Sequence, residues 1–292
     1  LFNILSNKKS LNIKLENIYS ITRKFERYEI KNGLVFGKGK NTKRTIEEIF
    51  ETNNKINILI DLLNIGRLIY NDEMLEKENK EIYKYDNKYF EKPHIFIDIS
   101  KINQDCKRKI NNFFQKYGII QNNNYNLNFF IRRVLDLYYT VELWNKIENK
   151  ENYGEDWEKL QFILYPQYRS KNVNYVKKGI AANIQEKGLF QYEKNKYYIF
   201  DYFQFNYKTK TFQILNMCND YITLAYYQLE SVMISKENLD VFHKCKICGD
   251  YLDYERSSKE YCDSEECRKI RQRERTRKSR ENKKRKELNK WM

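Results

Sequence analysis

Four cysteines, Cys245, Cys248, Cys262 and Cys267, fall within 23 residues of a 292-residue chain that has six in all. A segment so short and so poor in apolar side chains has no core of its own and needs a cross-link to fold. Disulfides or a metal ion would each supply one. No basic, apolar, small-residue leader opens the chain, so an intracellular, cytoplasmic location is expected. In that reducing setting a metal site is the better account of clustered thiols. Cys106 and Cys218 stand alone within apolar helical patterns and read as small buried hydrophobes.

The two-residue gap between Cys245 and Cys248 is that of a knuckle, in which a tight turn aims two thiolates at one ion, and Gly249 permits the backbone to close it. Thirteen residues then leave room for a short hairpin over 251–261 before Cys262 and Cys267, four residues apart. Asp263 or Ser264 can cap a helix with Glu265 and Glu266 in its first turn. Cys267 would then lie at the positive end of that helix, where thiolates are favoured. Knuckle, hairpin and helix describe a treble-clef-like or ribbon-like zinc module over 241–267. Four thiolates complete a tetrahedron and leave no place for water, so one structural zinc is expected rather than a catalytic one. A redox or disulfide role is the alternative. His243 is a spare ligand, and Lys244, Lys246, Arg268 and Lys269 offset the negative charge of the filled site.

Beyond the cysteines, residues 268–292 hold 13 Lys and Arg against 3 acids, a net +10 of the chain's +15. The body, 1–240, has 38 basic and 30 acidic residues. Such asymmetry points to an acidic polymer, nucleic acid before membrane. The stretch lacks Pro and Gly, and Glu274–Lys278 and Glu281–Arg285 are favourable i,i+4 pairs. A helix to about Leu288 would span roughly 37 Å at the α-helical rise. Its cations Arg268, Lys269, Arg271, Arg273, Arg275, Arg277, Lys278, Arg280, Lys283, Lys284, Arg285 and Lys286 are the candidate nucleic-acid contacts, with the arginines suited to bidentate bonding. A solvated tail that only aids solubility is the plainer reading. The sign bias and the metal-anchored start speak against it. DNA is favoured over RNA as the partner, although arginine-rich helices bind both.

A helix, then Cys245 and Cys248, the pair Tyr261-Cys262, Cys267 and a basic run resemble the C-terminal part of the CGNR-type zinc-finger family, over about 211–285. That family comprises bacterial proteins described as stress-induced transcription regulators, with an α/β domain ahead of the finger. The resemblance implies a zinc- and DNA-binding module held by these four cysteines. After Cys267 this chain reads Arg268, Lys269 and Ile270, where the family has Gly-Asn-Arg.

The body reads as α+β, in one or two domains with 148–156 as the linker candidate. Asn32-Gly33 is a hairpin turn within 28–39, with Gly37 to Lys40 at the hairpin's end. Thr45 is placed to cap a short helix. A strand pair is expected around 82–85 and 88–90, a strand at 93–99, a helix from Asn103 to Gly118 with Cys106, Ile110, Phe113 and Tyr117 on one face, and another from Leu127 to Asn149 with Phe130, Val134, Leu137, Val141, Trp144 and Ile147 recurring at spacings of three and four. Residues 189–207 read as two aromatic strands, and 211–235 as one long helix with Leu215, Cys218, Ile222, Ala225, Leu229 and Val232 inward. The strand aromatics are read as core before base-stacking platform. No apolar run approaches the ~20 residues of a membrane span.

With two histidines, no phosphate-cradling glycine motif and no nucleophile elbow, no catalytic residue is assigned. The expected role is DNA binding in gene regulation, with a body that senses a ligand, dimerises or contacts another protein. Two alternatives remain: a nuclease or toxin-like effector of phage defence using Asp98 and Lys101, and a zinc-dependent protein-interaction module.

Overall fold

The computed structural model describes residues 21–45, 58–70, 102–120, 124–149, 156–164, 166–187, 199–206, 211–218, 220–234, 242–252 and 259–288. The expected strands over 82–90 and 93–99, together with Asp98 and Lys101, lie outside these residues. The chain forms two compact units, Leu1–Leu239 and Asp240–Met292. The first is mixed α+β.

Strands β1 (Ile21–Lys31) and β2 (Leu34–Thr45) form an antiparallel hairpin about Asn32 and Gly33, whose φ values of 51° and 71° are those of the expected turn. The hairpin is much longer than the sequence indicated. The charged run 38–44 continues β2 to Thr45, so Gly37 to Lys40 lies within the strand rather than at the hairpin's end, and the short helix expected after Thr45 falls outside the described residues. Alternation is absent because all of 38–44 is exposed and no apolar side chains mark a buried face. Short strands β3 (Ile119–Ile120) and β4 (Asn124–Asn126) complete a curled sheet in the order β3-β1-β2-β4.

Helix α1 (Ile58–Tyr70) is buried on nearly all sides. Near its start, the Leu59 N–H donates to Gln228 Oε1 at 3.0 Å, which satisfies a helix-end donor that burial removes from water. Helix α2 (Gln104–Tyr117) follows the sequence reading closely. Asn103 Oδ1 accepts from the Cys106 N–H at 2.7 Å, Gly118 ends the helix, and Cys106, Ile110, Phe113 and Tyr117 are buried. Asn103→Ala is expected to cost about 1 kcal/mol of stability, as the removal of a cap does, checked by denaturant unfolding.

Helix α3 (Leu127–Glu148) is the centre of the unit. Of the expected stripe Phe130, Val134, Leu137, Val141, Trp144 and Ile147, all but half-buried Trp144 are buried, and so are Ile131, Leu135, Tyr138, Tyr139 and Leu143. The helix is covered all round by α1, α4 (Asp156–Leu160), α5 (Val173–Lys187) and α6 (Tyr221–Ile234). Lys177 of α5 pairs with Glu148 at the end of α3 at 2.9 Å. Between α2, α3 and α6, the rings of Phe113, Phe114, Tyr117, Phe130 and Tyr221 pack edge-to-face or tilted at centroid distances of 4.7–5.7 Å. Tyrosine and phenylalanine thus form one aromatic cluster within a core otherwise rich in Ile and Leu.

The long helix expected over 211–235 is two elements. Thr211–Cys218 is strand β6, antiparallel to β5 (Ile199–Asn206) in a register from Ile199↔Cys218 to Asn206↔Thr211. Of the two aromatic strands expected over 189–207, the second is β5 and the first lies outside the described residues; Cys218 ends β6 instead of lying on a helical face. The helix begins only at Tyr221, after Asp220, whose Oδ2 accepts from the Thr223 N–H at 2.9 Å. The reason is local: Thr, Phe, Ile and Leu suit a strand as well as a helix once β5 is there to pair with. Among the described residues, no helix is long and apolar enough to cross a membrane.

Candidate metal centre

The second unit is built around the cysteines. Cys245 to Cys248 form the knuckle: the Gly249 N–H donates to the Cys245 carbonyl at 2.8 Å, and the Cys245 N–H to the Asp250 carbonyl at 2.7 Å. Gly249 holds φ at 73°, a conformation that side chains disfavour. An antiparallel bridge joins Lys244 to Tyr251. The expected hairpin lies partly outside the described residues, but the Lys246 N–H donates to the Glu260 carbonyl at 3.0 Å, and Lys246 Nζ meets Glu260 Oε1 at 2.5 Å. These bonds bring the chain before Cys262 alongside the knuckle.

Helix α7 (Glu265–Leu288) starts as the sequence indicated, with Ser264 rather than Asp263 as its cap. Ser264 Oγ accepts from the Cys267 N–H at 3.3 Å and lies 3.2 Å from Cys262 Sγ. This single hydroxyl, which spacing alone did not single out as touching a thiol, joins the helix start to the third cysteine. Asp263 instead pairs with Lys259 at 2.7 Å, and that ion pair holds its carboxyl below the usual range.

Cys245, Cys248, Cys262 and Cys267 converge with their sulfurs all within 4.8 Å of one another. Two pairs, Cys245–Cys267 and Cys248–Cys262, stand at 3.9 and 3.7 Å. Tetrahedral coordination at the usual ~2.3 Å metal–sulfur distance places sulfurs about 3.8 Å apart. The four thiols are not bonded to one another, and the group suits one metal ion. Buried Leu252, with Ile247 and Tyr261, packs around them. His243 is not part of the group; its carbonyl accepts from the Leu252 N–H at 2.8 Å.

The thiols differ in proton affinity. Burial would raise that of Cys245, but N–H groups of Cys248, Cys262 and Ile247 outweigh it and bring the thiol down to about 6. Cys248 is pushed up by burial and by the nearby Asp250 carboxylate. Cys267 is also raised, again first by burial, with the Ser264 hydroxyl opposing. Cys267 does lie in the first turn of α7 as expected, and there burial outweighs the Ser264 hydroxyl.

From this base α7 leads away. Arg268, Lys269, Arg273, Arg275, Arg277, Lys278, Arg280 and Lys283 are exposed. Lys284, Arg285 and Lys286 belong to the helix, with side chains outside the described residues. Two of the candidate contacts turn back to the module. Arg268 donates to the Asp263 carbonyl at 3.2 Å. Half-buried Arg271 lies 5.3 Å over the Tyr261 ring and reaches the Cys262 carbonyl at 3.5 Å. Glu281 closes on Arg277 at 3.7 Å, and Lys269 on Glu265 at 2.6 Å. Ile270, the large apolar residue at the base of the run, is itself 38% exposed.

These features define an α+β chain with a C-terminal four-cysteine module of knuckle, bridge and helix. No protein-family model, no curated protein and no solved structure matches it. The likeness to CGNR-type fingers therefore rests on the cysteines and the basic run alone, and it assigns no family.

Proposed function

We propose that the module binds one structural zinc ion and presents α7 to DNA, and that the chain acts as a DNA-binding regulator. Zinc is the ion best matched to four thiolates in a closed tetrahedron, where its role is to hold the fold. The observation that carries the reading is α7 itself: from Arg268 to Lys283, exposed cations occupy every side of a helix whose base is fixed at the cysteines. A helix without an apolar stripe is not made to pack on protein. A single helix fits the major groove of B-DNA, where phosphates line both walls and arginines reach base edges. Such a groove would neutralise cations on several sides of the rod at once.

Changing Arg273, Arg275, Arg277 and Arg280 together to Gln is expected to flatten the dependence of log K on log[salt] by about 3.6, at ~0.9 for each phosphate no longer neutralised. Binding of a 30-base-pair duplex at several salt concentrations measures this. An unchanged slope would put the nucleic-acid surface elsewhere. Selection of genomic fragments by the zinc-loaded chain at physiological salt separates a regulator from a general anchor. A regulator enriches one sequence, whereas an anchor recovers all fragments alike.

A further inference from the structure

The body's excess of positive charge is not spread over it. Of its 38 basic and 30 acidic residues, the 25 residues of the β1–β2 hairpin hold 8 basic and 2 acidic. The remaining 215 are nearly balanced, at 30 to 28. Within the hairpin, 38–44 is exposed at every residue and contains Lys38, Lys40, Lys43 and Arg44 with no acid. Arg27, opposite Lys38 in the register, adds a fifth cation. Of the four on β2, Lys38 has a carboxylate partner among the described residues, Glu29 at 3.7 Å with both side chains about half exposed. Pairs that open to water hold little.

Geometry keeps this strand available. β4 covers only residues 34–36 of the outer edge of β2, so 37–45 has β1 on one side and no neighbouring strand among the described residues on the other. One residue of β2 is extra where Phe25↔Asn41 gives way to Arg27↔Lys38. Gly39, with φ at 82°, takes up this bulge. Charge on an edge strand also deters aggregation, but one or two charges of either sign do that. Four cations of one sign in seven residues go further.

We infer that the β1–β2 hairpin is a second DNA-binding surface, a basic β-ribbon that grips duplex phosphates through Lys38, Lys40, Lys43, Arg44 and Arg27. A two-stranded ribbon fits the B-DNA major groove, whereas the A-form groove of RNA is too narrow for it. At ~3.3 Å per residue, 38–44 spans about 20 Å, comparable to some six base-pair steps along the axis of B-DNA. The inference extends the DNA reading to the first unit without depending on α7. Two cationic surfaces on one chain raise both avidity and salt sensitivity.

The test uses the full zinc-loaded chain and a 30-base-pair DNA duplex, with fourfold changes to Gln made separately in the hairpin (Lys38, Lys40, Lys43, Arg44) and in α7 (Arg273, Arg275, Arg277, Arg280). The hairpin variant is expected to flatten the salt slope by about 3–4 while its melting curve stays that of wild type, since all four side chains are in water. Changing the three lysines to Arg should keep the wild-type slope. A wild-type slope in the hairpin variant, with α7 changes still effective, would overturn the second surface and leave the role of α7 standing. The reverse pattern would sink the role of α7 and keep the hairpin. A hairpin variant that weakens duplex RNA and polyglutamate as much as DNA would overturn the ribbon as a DNA reader.

Discussion

Cys267→Ser is expected to release the metal ion and unfold the knuckle and the base of α7, while the unit Leu1–Leu239 keeps its cooperative melt. The second unit has almost nothing else to hold it. Its buried cluster is Cys245, Leu252 and Cys267, with Ile247, Cys248, Tyr261 and Cys262 packed against it. Two of the three central residues thus belong to the four-cysteine group itself. Structural zinc supplies about 10–16 kcal/mol of apparent binding free energy at neutral pH in small fingers, and without it such modules do not fold. Elemental analysis should read one metal per wild-type chain and none in the variant. Circular dichroism should lose helix equivalent to part of α7, with the main transition unmoved. Disappearance of a single joint transition in the variant would contradict that independence. Acid should act as the mutation does, because four thiolates must be deprotonated to hold the ion and protons compete for them as pH falls.

Asp220→Ala should be the most damaging single change in the first unit, at about 3–5 kcal/mol of lost stability. Asp220 is 1% exposed and serves three elements. It caps α6 through the Thr223 N–H, accepts from the Tyr125 hydroxyl of β4 at 2.6 Å, and pairs with Arg133 of α3. Alanine would leave the Arg133 guanidinium, whose side chain is 14% exposed, without its carboxylate. Asn keeps the cap and the shape but removes the charge, so Asp220→Asn should fall between wild type and Ala. Urea unfolding of both variants measures this. A loss below about 1.5 kcal/mol for Ala, the scale of a cap alone, would mean that the ion pair contributes nothing net.

Where a segment's own residues close their hydrogen bonds nearby, its structure was legible. Asn103, the face from Cys106 to Tyr117 and Gly118 defined α2, and Asn32-Gly33 defined the hairpin turn. The grouping of four cysteines followed from spacing, since a knuckle and a helix start each present thiols to the same side. The charge of α7 and its reach to Leu288 were legible for the same reason: a run of helix formers free of Pro and Gly needs no partner to set its pattern. What the sequence did not show depended on distant partners. Thr211–Cys218 is a strand because β5 supplies its ladder. The hairpin runs to Thr45 although no alternation marks it, because pairing with β1 holds exposed residues extended. Arg271 reads in the sequence as one more free cation, yet it lies over the ring of Tyr261, ten residues back. The sequence by itself determined the elements with local caps, the grouping of the four cysteines and the sign of the charge, each carried by bonds of short range. Only the tertiary structure decided which ambiguous runs became strands and which cations face outward. Those outcomes depend on what long-range pairing and burial leave exposed to water.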